Sequence, residues 1–161
     1  MKFKQFQFLK QEALRKLREM DGTGTPVSVP QSIEETLQED ALTLAYIGDA
    51  VYSLYIRERV TAMGITKVQV LHTIVTGFIN AKAQAQALLL LEEQLDENER
   101  LMLRRGRNAN VNVPKSASVQ EYRSSTAFEA LLGYWHVTGQ RERLQEAMQR
   151  AYSYTLAHIK L

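Results

Sequence analysis

Apolar residues recur at three- and four-residue steps along most of the chain, and no segment alternates regularly between apolar and polar residues. The first spacing gathers apolar side chains on one face of an α-helix, whereas regular alternation would indicate a β-strand. The pattern therefore predicts an all-α fold, and the short connections favour a compact helical bundle. The predicted helices cover residues 2–20, 41–60, 81–95, 96–105, 125–137 and 141–158, with one more beginning at Thr66.

Capping and breaking residues mark several of these helix boundaries. Two pairs have the three-residue spacing of a capping box, in which each side chain accepts a hydrogen bond from the other residue's backbone N–H. These pairs are Ser32 with Glu35 and Asp96 with Glu99. The first box is expected to open a helical stretch that continues through 41–60, and Gly64 and Gly139 are expected to end helices. Residues 106–120 combine small polar residues with Gly and Pro, which predicts an irregular loop.

The first 31 residues differ from the remainder of the chain. Apolar residues at helical steps predict an amphipathic helix over 2–20, and the Gly and Pro content of 21–30 predicts a linker. Such a helix binds a membrane surface, binds a partner protein, or packs on its own domain, and the last alternative is favoured. We therefore divide the chain into an N-terminal helix and linker of unknown role (1–31) and one domain (32–161).

Composition excludes several classes of protein. The 161 residues, 45% of them apolar, suffice for one domain with a substantial core. The longest apolar run (87–91) is far shorter than the roughly 20 residues that cross a bilayer, and the charged N-terminus is not typical of a secretory signal. The absence of cysteine excludes disulfides and thiolate metal sites, and the three histidines lack a zinc spacing. A cytoplasmic protein without membrane association is expected.

The net charge of +2 becomes informative once its position along the chain is considered. The segment 100–123 carries six basic residues and one acidic residue, a local charge of +5, whereas the rest of the chain is slightly acidic. Such a segment indicates an anion-binding surface, although a solvated charged loop explains the charge equally well. The basic residues are Arg100, Arg104, Arg105, Arg107, Lys115 and Arg123.

Two acidic residues lie within the most apolar predicted helices. Asp49 is flanked by Gly48 and Ala50, and Glu129 precedes Ala130. A buried carboxylate needs a partner or a metal ion, and small neighbours would let the two helices approach until the carboxylates converge. Two carboxylates in a cleft suit Mg²⁺ or Mn²⁺, which prefer oxygen ligands. The pattern alone slightly favours the alternatives, in which each acid pairs with Arg or Lys or lies on a solvent-exposed stripe.

A metal site opposite a basic segment favours phosphodiester hydrolysis. That reaction needs an activated water and a positive charge near the developing oxyanion, both of which Mg²⁺ supplies, and basic side chains that hold the substrate phosphates. The chain has no GxSxG, P-loop or GxGxxG motif that would indicate a different chemistry.

Three segments resemble the ribonuclease III family and follow the family's order along the chain. Residues 45–60, AYIGDAVYSLYIRERV, resemble its signature helix, in which a Gly-Asp pair lies among apolar residues. Residues 125–137, STAFEALLGYWHV, resemble its second helix, in which an acid precedes Ala-Leu-Leu-Gly. Residues 104–134, with RGRN, a Pro-Lys loop and YR, closely resemble the Mini-ribonuclease III branch, whose members consist of the catalytic domain alone. The resemblance extends over residues 36–155.

The resemblance implies a homodimeric, Mg²⁺-dependent endoribonuclease that hydrolyses double-stranded RNA and leaves 5′-phosphates. Asp49 and Glu129 match the two family carboxylates that bind the cation, for which Mn²⁺ is a substitute. Full-length ribonuclease III has two further acids, at the positions of Ala45 and Thr126 here, so we expect one firmly bound cation per site. Only 32 residues follow Glu129, so no separate double-stranded-RNA-binding domain is expected and the catalytic domain itself must bind RNA.

Members of the Mini branch mature large-subunit ribosomal RNA, so the resemblance implies precursor 23S ribosomal RNA as the substrate. A ribosomal protein or assembly partner is compatible with that role. Duplex RNA is recognised mostly by shape, through its phosphates and 2′-hydroxyls. The residues expected to bind the RNA backbone are Arg104, Arg105, Arg107, Lys115 and Arg123, with Lys82 and His72 as further candidates. The aromatic residues Tyr46, Tyr52, Tyr55, Phe128 and Trp135 are expected in the core or at a dimer interface.

Two other classes of function remain open from the sequence. A ribonuclease III-like module that has lost catalysis and only binds RNA would explain the missing acids at Ala45 and Thr126, although both primary acids are retained. A helical protein–protein adaptor would explain the N-terminal helix but leaves the basic segment without a role.

Overall fold

A computed structural model of the chain describes residues 3–23, 30–110, 112–113, 115 and 118–159. Within these ranges every regular element is a helix and none is a strand, which confirms the predicted all-α fold. The α-helices are α1 (Phe3–Thr23), α2 (Ile33–Thr36), α3 (Ala41–Thr61), α4 (Val68–Ile79), α5 (Ala81–Leu91), α6 (Glu97–Asn108), α7 (Val119–Val137) and α8 (Arg141–His158), and a 3₁₀ turn occupies Glu92–Gln94.

Helix length and apolarity bear on membrane crossing. Among the described residues, no single helix is long and apolar enough to span a bilayer. Helices α4 and α5 reach that length and apolarity only when taken together, as a pair bent by 45°.

Helix α7 is the centre of the bundle. It contacts α3, α5, α6 and α8, and it buries side chains around most of its circumference. A helix that is apolar on all sides is typical of a core position. Phe128, Leu131, Leu132 and Trp135 are fully buried on it, and each such side chain contributes about 1.5–3 kcal/mol by leaving water. Helix α7 is therefore a rigid support for the one acid in its second half, Glu129.

Two glycines let α3 and α7 pack with their backbones in contact. A Cβ atom on Gly48 would lie 1.8 Å from the carbonyl oxygen of Glu129, and one on Gly133 would lie 1.9 Å from that of Leu44. Non-bonded atoms do not approach so closely in a packed interior, so a larger residue at either position would push the helices apart. The close approach expected around Asp49 is therefore present, and both predicted acids lie at this crossing.

The helix boundaries depend on side-chain caps. Both predicted capping boxes are present, and a third, Ser118 with Glu121, begins α7 and was not predicted. The first box opens only the single turn of α2, because Asp40 caps α3 separately. Residue 67 rather than Thr66 is the N-cap of α4. Helix α6 extends through Asn108, so the irregular connection is shorter than predicted.

A buried ion pair joins α6 to α7 and α8. Glu99, 3% exposed, accepts hydrogen bonds from Trp135 Nε1 at 2.8 Å and from Arg143 Nε at 3.0 Å. Burial acts to raise the pKa of Glu99, but the hydrogen bonds from Arg143, the Asp96 backbone and Trp135 outweigh it and lower that pKa. The carboxylate is therefore charged and satisfied, which is the condition under which a buried acid supports a fold.

Helix α1 lies outside the bundle core. The predicted amphipathic helix is present, but none of its described side chains is buried, and Phe3 is 76% exposed. The expectation that this helix packs on its own domain is therefore wrong. The physical reason is that α3, α5, α6 and α8 already surround α7 and close the core without it. The predicted linker falls largely on residues 24–29, which lie outside the described residues.

Candidate active site

One open cavity lies where α3, α5 and α7 meet. Its volume is about 330 Å³, and both predicted acids line it, Asp49 from α3 and Glu129 from α7. Gln84 contributes a third polar side chain from α5. The other lining residues are Leu42, Ala45, Tyr46, Ile79, Ala81, Tyr122, Ser125 and Thr126. Residues from α3, α5 and α7, with Ile79 from the end of α4, thus form one depression that is open to solvent.

The two carboxylates differ in their exposure to solvent. Asp49 is exposed, whereas Glu129 is partly buried. The exposure of Asp49 matches the alternative in which an acid lies on a solvent-exposed stripe, whereas Glu129 does not fit that alternative. The reason is the orientation of α3, which buries Gly48 and Tyr52 against α7 and leaves Asp49 beside the exposed Ala50.

Burial and a neighbouring carboxylate both oppose the ionisation of Glu129. Burial, and then the negative charge of Asp49, raise the pKa of Glu129 to about 7, while the Gln84 amide acts in the opposite direction. Within the part of the chain that the structure describes, neither acid forms an ion pair with Lys or Arg. The alternative in which each acid pairs with a basic residue is therefore not found there.

The donor set suits a small divalent cation that retains several waters. Two carboxylates face one open cavity, and no group of three or more His, Cys, Asp or Glu side chains able to hold a metal occurs among the described residues. Ala45 and Thr126, which stand where full-length ribonuclease III has acids, also line the cavity. The Nε2 atom of Gln84 is buried there without a hydrogen-bond partner in the described structure. A cation would therefore bind two acids and complete its coordination with water.

Two of the basic residues predicted to bind RNA are engaged within the protein. Arg105 donates hydrogen bonds to the carbonyl oxygens of Leu37 and Glu39, in the connection between α2 and α3. Arg107 forms an ion pair with Glu92 in the 3₁₀ turn. These two side chains therefore fit neither expectation for the segment, a surface that binds anions or a solvated charged loop.

The other predicted RNA-binding residues are exposed. Arg104 lies on α6, and Arg123 lies on α7 beside a second depression of about 560 Å³ that Arg107 also lines. Their side chains, and that of Lys115, have no hydrogen-bond or ion-pair partner in the described structure. Lys82 on α5 and His72 on α4 are exposed as well. Exposed and unneutralised cations suit a surface that binds phosphate, whereas Arg105 mainly holds the fold together.

Several residues that complete the cavity were not predicted from the sequence, and the most important of them is Gln84. The available signal was helical periodicity, because Gln84 lies one turn before the buried pair Ala87 and Leu88 and therefore on the apolar face of α5. A polar side chain on a buried face requires a hydrogen-bond partner or a ligand, which marks Gln84 as a candidate site residue. Tyr46 was expected in the core or at a dimer interface, and the structure excludes the core, because Tyr46 is 83% exposed beside the cavity.

Comparison with known proteins gives concordant matches. A family model described as the ribonuclease III domain matches residues 42–140. A Mini-ribonuclease 3 from Enterococcus faecalis is 47% identical over 112 residues, which cover 68% of this chain and 85% of that protein. A Mini-ribonuclease 3 from Desulfitobacterium hafniense is 43% identical over 122 residues, which cover 76% of each. A crystal structure of a protein from Fusobacterium nucleatum has a TM-score of 0.66 at 29% identity and covers 70% of this chain and 92% of that one.

Proposed function

Because the chain belongs to the ribonuclease III family and is related to its Mini-ribonuclease 3 members, we propose that it is an endoribonuclease that hydrolyses double-stranded RNA at the cavity between α3, α5 and α7. The observation that carries the location is the convergence of Asp49 and Glu129, from two different helices, in one open cavity. Neither acid is neutralised by Lys or Arg within the described residues, so their charge remains available to a cation.

Asp49 and Glu129 would hold Mg²⁺, or Mn²⁺ in its place. When bound, the cation would supply an activated water for in-line attack and a positive charge beside the scissile phosphate. Hydrolysis in this way leaves a 5′-phosphate and a 3′-hydroxyl. Burial and the charge of Asp49 raise the pKa of Glu129 to about 7, so binding of a cation would favour release of the Glu129 proton. The buried α7 backbone around Glu129 holds that carboxylate in place.

The RNA backbone would be held by the exposed cations Arg104, Lys115 and Arg123, with Lys82 and His72 at the margins. Basic side chains that contact phosphate release counterions and bind without regard to sequence. A homodimer would present two such cavities related by a dyad, which suits the two antiparallel strands of a duplex. The substrate we propose is precursor 23S ribosomal RNA in the cytoplasm, and a ribosomal or assembly protein is a compatible partner. The division into residues 1–31 and a catalytic domain over 32–161 belongs to the same proposal.

The test is cleavage of a long RNA duplex by purified protein with and without Mg²⁺, with single-stranded RNA of the same sequence as the control substrate. Asp49→Asn and Glu129→Gln keep the shape of each side chain and remove its charge, so each is expected to lower cleavage by at least about 100-fold while RNA binding persists. Glu97→Gln, which alters an exposed acid at the start of α6, serves as the matched control and should cleave like the wild type. Wild-type cleavage by both cavity variants would refute the site assignment. A transcript that carries the ends of precursor 23S ribosomal RNA tests the substrate separately.

The second candidate function is an RNA-binding module without catalysis. The observation that favours it is the presence of Ala45 and Thr126 in the cavity wall, at positions that are acidic in full-length ribonuclease III. Binding of duplex RNA with no cleavage at any Mg²⁺ or Mn²⁺ concentration would establish this alternative in place of the enzyme.

A further inference from the structure

Gln84 is buried in the wall of the candidate active site. It lies in the first half of α5 and is 1% exposed, on the face that also buries Ala87 and Leu88. Its side chain lines the same cavity as Asp49 and Glu129. A polar side chain is therefore fixed against the two acids by a third helix that packs on α7.

The amide nitrogen of Gln84 has no hydrogen-bond partner among the described residues. Nε2 is buried and makes no hydrogen bond in the described structure. A buried donor that stays unpaired costs about 1–3 kcal/mol, and an apolar side chain of similar size would avoid that cost. A donor retained at such a cost indicates a ligand or an acceptor that is engaged when the site is in use.

Two other buried side chains in the described structure carry an unpaired polar atom, the Tyr52 hydroxyl and the Thr155 hydroxyl. Neither of them lines the cavity that contains the acids. Gln84 differs from Tyr52 and Thr155 because it lies beside an acid of the cavity. Its amide is close enough to Glu129 to oppose the rise in the pKa of the Glu129 carboxyl. An amide offers two N–H donors, and a carboxylate offers only acceptors.

We propose that Gln84 is a positioning residue for the cation site, an inference that rests on the proposed function of the cavity. With the cation bound, Nε2 would donate to the Glu129 carboxylate a hydrogen bond that the described structure does not contain, and would turn that group toward the cation. The second N–H of the amide remains available to a water of the hydrated cation, which keeps several waters when only two carboxylates bind it. Groups that orient metal ligands in this way commonly change metal affinity by about 10–100-fold when they are removed.

The test replaces Gln84 with Met, which has a similar length and no donor. We expect Mn²⁺ binding, measured by calorimetry without RNA, to weaken by about 10-fold. The rate of duplex cleavage at saturating RNA should fall at limiting Mg²⁺, while the KM for RNA stays unchanged because Gln84 is buried. The melting temperature of the metal-free protein should be equal or higher, since an unpaired buried amide is removed. Gln84→Leu repeats the measurement with a second apolar side chain.

Thr155→Val is the matched control, because it also removes an unpaired buried polar atom but on α8 and outside the cavity. It should bind Mn²⁺ and cleave RNA like the wild type. An unchanged Mn²⁺ affinity in both Gln84 variants, with loss of binding in Asp49→Asn and Glu129→Gln, would overturn the role of Gln84 and leave the proposed function intact. A lower melting temperature with unchanged Mn²⁺ affinity would show a purely structural role. Failure of the wild-type protein to bind Mn²⁺ would overturn both proposals.

Discussion

Glu129 combines two features that oppose its ionisation. It is partly buried on the central helix, and a second carboxylate, Asp49, lies in the same cavity. Both raise the pKa of Glu129, to about 7, and the Gln84 amide compensates only in part. A carboxyl group that is costly to ionise by itself becomes a favourable ligand when a cation is present, because the positive charge offsets both effects.

The raised pKa of Glu129 predicts how the stability of the metal-free protein depends on pH. The unfolded chain releases this proton near pH 4.5 and the folded chain near pH 7, so the folded state holds the additional proton between those values. The contribution of Glu129 to stability should therefore fall as the pH rises through this window and stay constant above it. Urea unfolding of wild type and Glu129→Gln, in the presence of a chelator, measures the difference. Parallel profiles for the two proteins would contradict this prediction.

Because Asp49 is exposed and Glu129 is partly buried, substitution of the two acids should affect the stability of the metal-free protein differently. Glu129→Gln removes a partly buried charge and should leave the metal-free protein as stable or more stable, whereas Asp49→Asn should act mainly by relieving Glu129. The double variant should therefore raise the melting temperature by less than the sum of the two single changes, because the two residues interact. Their separate and combined melting temperatures provide the comparison.

At the scale of elements, the crossing of α3 and α7 brings the acids together. Gly48 lies against the carbonyl of Glu129, and Gly133 lies against that of Leu44, so the two glycines keep the backbones in contact on either side of the site. Helix α5 then closes the cavity with Gln84. The position of the carboxylates therefore depends on the distance between two helices as much as on the acids themselves.

Gly133→Ala tests this dependence without altering a residue of the cavity. A methyl group there would meet the backbone of α3, so the free energy of unfolding should fall by about 3 kcal/mol, and cleavage should fall further than stability explains. Gly22→Ala in α1, where no atom lies within 4 Å of the new methyl group, is the matched control and should not lower stability. Chemical unfolding and cleavage below the melting temperature measure both effects. Wild-type stability in Gly133→Ala would mean that the helices can separate without cost.

At the scale of the whole molecule, the basic segment divides into cations with a structural role and cations that face solvent. Arg105 and Arg107 are bound within the protein, whereas Arg104 and Arg123 are exposed without partners in the described structure. Charge counted along the sequence therefore overstates the number of arginines available to RNA. The local charge of +5 still creates a field that favours an anionic partner.

Replacement of Arg104 and Arg123 with Ala should weaken duplex binding and flatten its salt dependence. Each lost phosphate contact lowers the slope of log affinity against log salt by about 0.9 on duplex DNA, so the pair should remove about 1.8 if RNA behaves alike. The measurement belongs in a Glu129→Gln background, so that the RNA stays intact. Replacement of the exposed Lys67 and Arg141 is the charge-matched control. Arg105→Ala should instead lower stability, because it removes the contact with the α2–α3 connection.

The homodimer is the second prediction at this scale. Exposed apolar residues lie on α3, in the connection that follows it and at the start of α4: Tyr46, Leu54, Met63, Ile65, Val68 and Val70. If they form an isologous interface, the protein should sediment at about twice 18.4 kDa. Leu54→Asp should then yield a monomer, because a charge would be buried in an apolar contact. Leu89→Asp, at an equally exposed position on α5, should leave the dimer intact.

Local information in the sequence was enough to predict the class of the fold and most of the helices. Periodicity located α8 at 141–158, and capping boxes located the starts of α2 and α6, because these signals depend on residues within one or two turns of each other. Small residues beside each acid indicated that Asp49 and Glu129 could converge, although the pattern alone slightly favoured pairing with Arg or Lys or a position on a solvent-exposed stripe.

Only the tertiary structure decided which side chains share the cavity and which are exposed. The solvent exposure of Asp49, the position of Gln84 beside Glu129 and the capture of Arg105 by carbonyls 66 and 68 residues away all depend on contacts between distant segments. Sequence pattern describes one helix at a time, whereas burial and charge pairing are properties of the space between helices. For that reason the sequence determined which residues are chemically suited to the site, and the packing of α3, α5 and α7 determined which of them meet.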